Sequence, residues 1–227
     1  MPVSRPLRLW LLGALLIAPV LAVFANLSWL GAQAYLRFGA DQWAWPDARE
    51  SAYQAASVAA RLETFSAQAH QQQASSSLLM GHDEDALSQY VSALQRAPAD
   101  AYLWRDYALA LIYTGHFDQR LDRAVFQAQT WAPRSSVLNL SLAIAGLKVY
   151  DRSDEALRTL WMRSIRYAYW VAPGAVLYAA YLSERELLLC DTVIPQSDHN
   201  AWCAAARWRR DCTLTGQQRG CEDSKQP

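Results

Sequence analysis

Four cysteines, Cys190, Cys203, Cys212 and Cys221, all fall near the C-terminus of a 227-residue chain, and none lies before Cys190. Thiols can hold zinc, act as nucleophiles or pair as disulfides. Zinc sites use close ligand pairs such as C-x2-C, whereas no two cysteines here stand that close in sequence. An even count in an exported segment reads as two disulfides, with three connectivities open. His199, four residues before Cys203, has the helix spacing of a ligand pair or a Cys–His dyad. A histidine that merely neighbours a disulfide cysteine is the preferred reading.

Other chemistry-bearing groups have structural explanations. Asp83, Glu84 and Asp85 could supply paired carboxylates or a metal site, but they open a helix, where acidic groups favour the macrodipole. His82 and His116 occupy equivalent turn positions in a repeat. Asn26-Leu27-Ser28 and Asn139-Leu140-Ser141 match a glycosylation acceptor by chance, one in an apolar run and one in a predicted helix. No P-loop, G-x-G-x-x-G, H-E-x-x-H or G-x-S-x-G occurs. No catalytic residue, metal or cofactor is therefore assigned, and a glycan hydrolase using Asp83, Glu84 or His116 is the enzymatic alternative.

The segment from Leu157 to Trp170 offers a binding surface instead. Leu157, Leu160, Trp161, Ser164, Ile165 and Ala168 recur at helical spacing as a buried stripe. Arg158, Met162, Arg166 and Tyr169 make a second stripe, flanked by Arg163, Tyr167 and Trp170. Guanidinium groups beside aromatic rings can bind an anionic polysaccharide by charge-assisted hydrogen bonds and stacking. The ordinary competing role is snorkelling over neighbouring helices. Arg158, Arg163, Arg166, Tyr167 and Trp170 are the candidate ligand- or partner-binding residues. A tail run, Arg207-Trp208-Arg209-Arg210, has the same composition, with lipid contact as a further option.

These groups must be positioned by helices. Hydrophobic residues make up 52% of the chain and charged residues 19%, which excludes a disordered, solvating chain. Nine Gly and nine Pro are too few for a turn-dense all-β domain. Twenty-one basic and twenty-one acidic residues cancel, so no global charge footprint for nucleic acid exists.

Arg5 and Arg8 precede an apolar run from Leu9 to Leu30, with Trp10 and Trp29 near its ends. About 20 residues span a bilayer, and interfacial tryptophans suit both edges. A cleaved signal peptide ending at Ala25 is the rival. Either way, the rest of the chain is exported. Residues 1–40 are expected to form a single-pass anchor and juxtamembrane segment, residues 46–190 a helical-repeat domain, and residues 191–227 a disulfide-stapled tail. The linker carries Trp43 and Trp45, and a helix enters at Pro46 and runs to Phe65. Gln68 to Ser77 reads as a fraying continuation of it or as a loop. Further helices are expected near 83–97, 100–114, 117–131, 135–149, 153–171 and 174–190, with a last one from Asp198. Trp104 and Trp161 are expected in the core.

Gly81-His82 is answered by Gly115-His116, and Pro98 by Pro133, at nearly equal intervals. Tyr90, Ala93, Trp104, Tyr107, Ala108, Phe117 and Ala128 fall between them. The segment ALSQYVSALQRAPADAYLWRDYALALIYTGHFD thus resembles the tetratricopeptide family over about one and a half repeats. Arg120 stands where a small alanine is usual, and one residue is inserted before Pro133. The resemblance implies an all-α, antiparallel helical-repeat solenoid that recognises protein partners.

Arginine outnumbers lysine nineteen to two, in keeping with a GC-rich bacterial coding sequence. The anchor, the repeat from Ala86 to Pro133 and the stretch WVAPGAVLYAAYLSERELLLC are similar to small single-span accessory proteins of exopolysaccharide operons, the VpsP-type family. That resemblance implies an inner-membrane protein with a cytoplasmic N-terminus and a periplasmic C-terminal domain. It would support polymer biosynthesis or export through protein contacts within an envelope complex. A general envelope adaptor for division or secretion machinery is the alternative.

Overall fold

The computed structural model describes residues 30–34, 48–195 and 201–215, with side chains to residue 211 in the last stretch. Every regular element among them is helical, with no strand, so the all-α expectation holds. The helices are α1 Arg49–Leu62, α2 Ala67–Leu79, α3 Asp83–Arg96, α4 Ala101–Tyr113, α5 Gln119–Trp131, α6 Ser136–Val149, α7 Glu155–Val171, α8 Pro173–Leu182, α9 Glu186–Thr192 and α10 Ala201–Thr215. No helix among the described residues is long and apolar enough to cross a membrane. The expected anchor lies outside the described residues, apart from the helical residues 30–34.

Two compact units divide the chain, one ending at Leu103 and the other beginning at Trp104. In the first, α2 packs against α1 and α3. Alanines dominate the contact: Ala32, Ala59, Ala60 and Ala69 form one buried cluster. Small side chains let helix backbones approach closely, at the cost of little buried area per residue. In the second unit, α6 and α7 pack extensively, α8 packs on both, and α10 packs on α9. Leu138, Leu142, Leu147, Leu157, Trp161 and Ile165 are all buried there.

Side-chain caps open α2, α5, α6 and α7. Backbone N–H groups donate to Ser66 (from Ala69, 3.2 Å), Asp118 (from Arg120, 2.9 Å), Ser135 (from Leu138, 3.3 Å) and Asp154 (from Leu157, 2.8 Å). These side chains satisfy donors that the first helical turn leaves orphaned. Helix ends repeat a second device. Gly81 N–H donates to Leu78 O (3.1 Å) and His82 N–H to Ser77 O (2.8 Å). Gly115 and His116 make the same pair with Ile112 O (3.1 Å) and Leu111 O (2.8 Å). Both glycines have positive φ, 76° and 78°, which glycine adopts without steric penalty.

Four expectations need correction. Residues 174–190 are not one helix: Glu184 sits at φ 56°, and its N–H and that of Arg185 reach back to Tyr181 O (3.2 Å) and Ala180 O (2.8 Å). This is the same helix stop with glutamate in the glycine position, so its usual sequence mark is missing. Residues 68–77 belong to α2, an independent helix capped by Ser66, rather than a loop or a frayed end. Phe65 therefore stands in a turn and is 89% exposed, not on a helix face. Trp104 is half-buried with the Arg123 guanidinium 5.9 Å from its ring centroid, whereas Trp161 is fully buried as expected.

Candidate functional site

Helix α7 starts from its Asp154 cap with Glu155 in the first turn, then carries no carboxylate to its end. Its inward face is Leu157, Trp161, Ser164, Ile165 and Ala168, while Leu160 is only half-buried. Gly146 on α6 makes room for the Trp161 ring: a Cβ there would stand 2.7 Å from Trp161 Cγ. The indole N–H donates to Ser153 Oγ (3.0 Å), which holds the ring in place. Beside it, Gln129 Nε2 donates to Leu160 O (2.7 Å) and Ser164 Oγ (2.8 Å), and the Ser164 hydroxyl donates to Asn139 Oδ1 (3.0 Å). Asn139 Nδ2 donates in turn to Pro133 O and Ser135 O (3.1 and 2.9 Å). Asn139 is buried within this network, so its Asn-x-Ser match offers no acceptor on the folded surface.

This inward packing fixes which candidate side chains face outward. Arg163, Arg166 and Trp170 lie at i, i+3 and i+7 on one exposed face. The other two candidates are engaged. Arg158 Nε donates to Tyr150 O (3.1 Å) and its guanidinium lies 5.3 Å from the Tyr150 ring, so it holds the 3-10 turn Tyr150–Arg152 that precedes α7. Tyr167 is half-buried, and its hydroxyl donates to Arg134 O (2.6 Å). Of the five candidate binding residues, the fold thus assembles three on a free face and gives two structural partners.

Arg134 is the residue that sequence reasoning missed. Its backbone meets Tyr167, and its exposed side chain adds a third cation at that end of the unit. The signal lay in the charge distribution: the stretches from Arg123 to Tyr150 and from Ala156 to Ser183 together hold six Lys or Arg and no Asp or Glu. Helix α6, and α7 beyond its first turn, are drawn from these two stretches and pack together, so Arg134, Arg163 and Arg166 have no carboxylate close to them in sequence on either helix.

The tail run behaves differently. Arg207 pairs with Asp191 (3.8 Å), Arg209 with Glu186 (2.9 Å) and Arg210 with Asp211 (3.1 Å). Arg209 also lies 5.6 Å from the Tyr181 ring. Of the readings left open for this run, the ion pairs favour the structural one. Cys190 and Cys203, both buried, form a disulfide with Cα atoms 5.8 Å apart that ties α10 to α9. Of the three connectivities left open, the one joining these two stands; the Cys212 side chain, Cys221 and His199 lie outside the described residues.

Elsewhere Asp83 and Glu84 stand in the first turn of α3, and the other candidate groups have partners. Asp85 accepts from the Ser77 hydroxyl (2.7 Å), the His82 ring meets Tyr53 edge-on at 5.3 Å, and His116 Nδ1 lies 2.9 Å from Thr114 Oγ1. No group of three or more metal-ligating side chains comes together among the described residues. The resolved titration shifts cluster at the start of α5. Hydrogen bonding from Arg120 holds Asp118 below the usual carboxylate range, while burial, helped by Asp154 and Asp118, pushes Asp122 up. Burial also raises Tyr107 against the opposing Arg120 charge.

No model of a known protein family matches the chain, and no curated protein matches it in sequence.

Proposed function

We propose that this protein is a non-catalytic, membrane-anchored adaptor of the bacterial envelope, with its helical domain in the periplasm, supporting exopolysaccharide biosynthesis or export. The observation that carries the reading is the free face of α7. Arg163 and Arg166 have no carboxylate on their own helix beyond its first turn, and Trp170 beside them is 81% exposed. Cations and rings left unpartnered in this way suit an anionic polysaccharide, or an acidic surface of a protein partner.

Two further features support the finer parts of the proposal. Tetratricopeptide-like repetition accounts for the identical helix stops at Gly81 and Gly115, and for fully buried Ala93, Ala108 and Ala128 at the small-residue positions. A buried disulfide suits an oxidising compartment, which agrees with the exporting N-terminal run.

Genetic complementation tests the adaptor role. Deleting the gene should lower cell-associated exopolysaccharide, and the wild-type chain should restore it. The Arg163→Glu, Arg166→Glu chain should fail to do so although it melts within a few degrees of wild type, because exposed charges contribute under about 1 kcal/mol each. Full complementation by that variant would remove the α7 face from the function. The compartment is tested by a reporter fused after Pro227, expected to be active only on the exported side.

A further inference from the structure

From Tyr167 to Ser183 the chain has no charged residue, and its only polar side-chain groups are tyrosine and serine hydroxyls and the Trp170 indole N–H. Such a stretch would ordinarily be core, yet here it is largely surface. Trp170 is 81% exposed, Val171 53%, Tyr178 64%, Tyr181 52% and Leu182 60%. On α8 the exposed positions 174, 175, 178, 181 and 182 recur at i, i+4 and i+7 spacing, so they share one face. The opposite face, Val176, Ala179 and Ala180, is buried. Pro173 is N1 of α8, just after α7 ends, which makes the exposed pair Trp170 and Val171 continuous with that face along the chain. The border is cationic. Arg163 and Arg166 lie two turns and one turn before Trp170 on the same face of α7, and Arg134 meets Tyr167. The first carboxylate is Glu184, beyond the far end of α8.

We propose that this α7–α8 face rests on a phospholipid bilayer bearing anionic headgroups. Trp and Tyr rings with aliphatic neighbours and flanking arginines are what a membrane interface selects: the apolar bodies enter the headgroup layer while the guanidiniums meet phosphate. An anionic glycan can pair with the arginines, but the exposed Val171 and Leu182 beside the rings offer its hydroxyls no hydrogen-bonding partner, whereas a bilayer takes up both. A second copy on the same face would bring two sets of unneutralised arginines together. The inference rests on the reading of the α7 stripe as an anion-facing surface, and it names the source of the anion at its aromatic end.

The test uses the full chain with p-benzoylphenylalanine in place of Tyr178, reconstituted into phosphatidylcholine vesicles with or without phosphatidylglycerol. Irradiation should join position 178 to phospholipid in the anionic vesicles. The yield should be at least threefold lower in neutral vesicles and in the Arg163→Glu, Arg166→Glu background. The same probe in place of Tyr113, itself 71% exposed, should give little adduct under either condition. Equal adducts at both positions would show non-specific proximity and overturn the proposal. So would an adduct of twice the protein mass, which assigns the face to a second copy. Loss of the lipid adduct on adding alginate would assign it to an anionic polymer instead. Flotation with neutral vesicles reports the N-terminal anchor separately, and exopolysaccharide yield reports the adaptor role, so each can fail without the others.

Discussion

The α6–α7 pair and the α2–α3 pair, one in each unit, join helices by opposite means. At α6–α7 a full-sized indole fills the space over Gly146, and a buried chain from Gln129 Nε2 through Ser164 to Asn139 runs beside it, leaving Gln129 Oε1 without a hydrogen-bond partner. At α2–α3, an equally extensive contact with Ala69 and Ala74 of α2 buried, several side-chain hydrogen bonds cross between the helices: His70 Nδ1 to Gln89 Oε1 (2.8 Å), Ser75 Oγ to Tyr90 Oη (3.0 Å) and Ser77 Oγ to Asp85 Oδ2 (2.7 Å). Most of those partners keep some exposure, so water can replace a lost bond. The first arrangement concentrates stability in a few irreplaceable atoms. The second spreads it over exchangeable ones.

Substitutions should expose that difference. The largest effect is expected for Trp161→Ala, at about 3–5 kcal/mol, measured by chemical unfolding. Trp170→Ala on the same helix should change stability by less than about 0.5 kcal/mol, because its ring is already in solvent. A similar cost for both would mean that α7 does not present one wet and one dry face.

Gly146→Ala should come next, at about 1–3 kcal/mol, because the new methyl overlaps a ring that its Ser153 hydrogen bond holds in place. In an isolated exposed helix the same change would stabilise, so the sign of the effect reports the contact.

Two serine deletions then compare the pairs directly. Ser164→Ala strips Asn139 Oδ1 of its donor in a dry site and should cost about 1–3 kcal/mol. Ser77→Ala leaves Asp85 only half-buried and able to turn to water, so about 1 kcal/mol or less is expected. Equal losses would show the α2–α3 joint to be as sealed as the other.

The smallest effect concerns pH. Asp122 has a folded pKa raised mainly by burial, so its charge disfavours the native state above that pKa. The penalty fades as acidification protonates the folded form first. Asp122→Asn should therefore raise the melting temperature slightly at neutral pH, by under about 1 kcal/mol in stability, with the gain vanishing in acid. A gain that grows on acidification would reverse the assignment.

Local chemistry made much of this protein legible. Apolar residues at helical spacing marked α3 to α7 within a residue or two, since one buried stripe per helix leaves a helical period. The glycines at 81 and 115 announced helix ends because only glycine takes positive φ at no steric cost. Helix α2 was obscure for the complementary reason: its partners are reached through Gln, Ser and His, which carry no apolar period. Glu184 hid a helix stop by occupying a glycine's conformation.

For the candidate site, residue types and order alone determined that α7 would carry arginines and aromatic rings outside a buried stripe. Tertiary packing decided which of them are free. Arg158 and Tyr167 find backbone carbonyls at Tyr150 and Arg134, and the tail arginines find carboxylates on α9 and α10. A side chain's spacing records the helix it belongs to, but its partner lies on another element, at a distance set only when the helices meet. That is why the sequence could name five surface candidates, while the fold left Arg163, Arg166 and Trp170 facing outward.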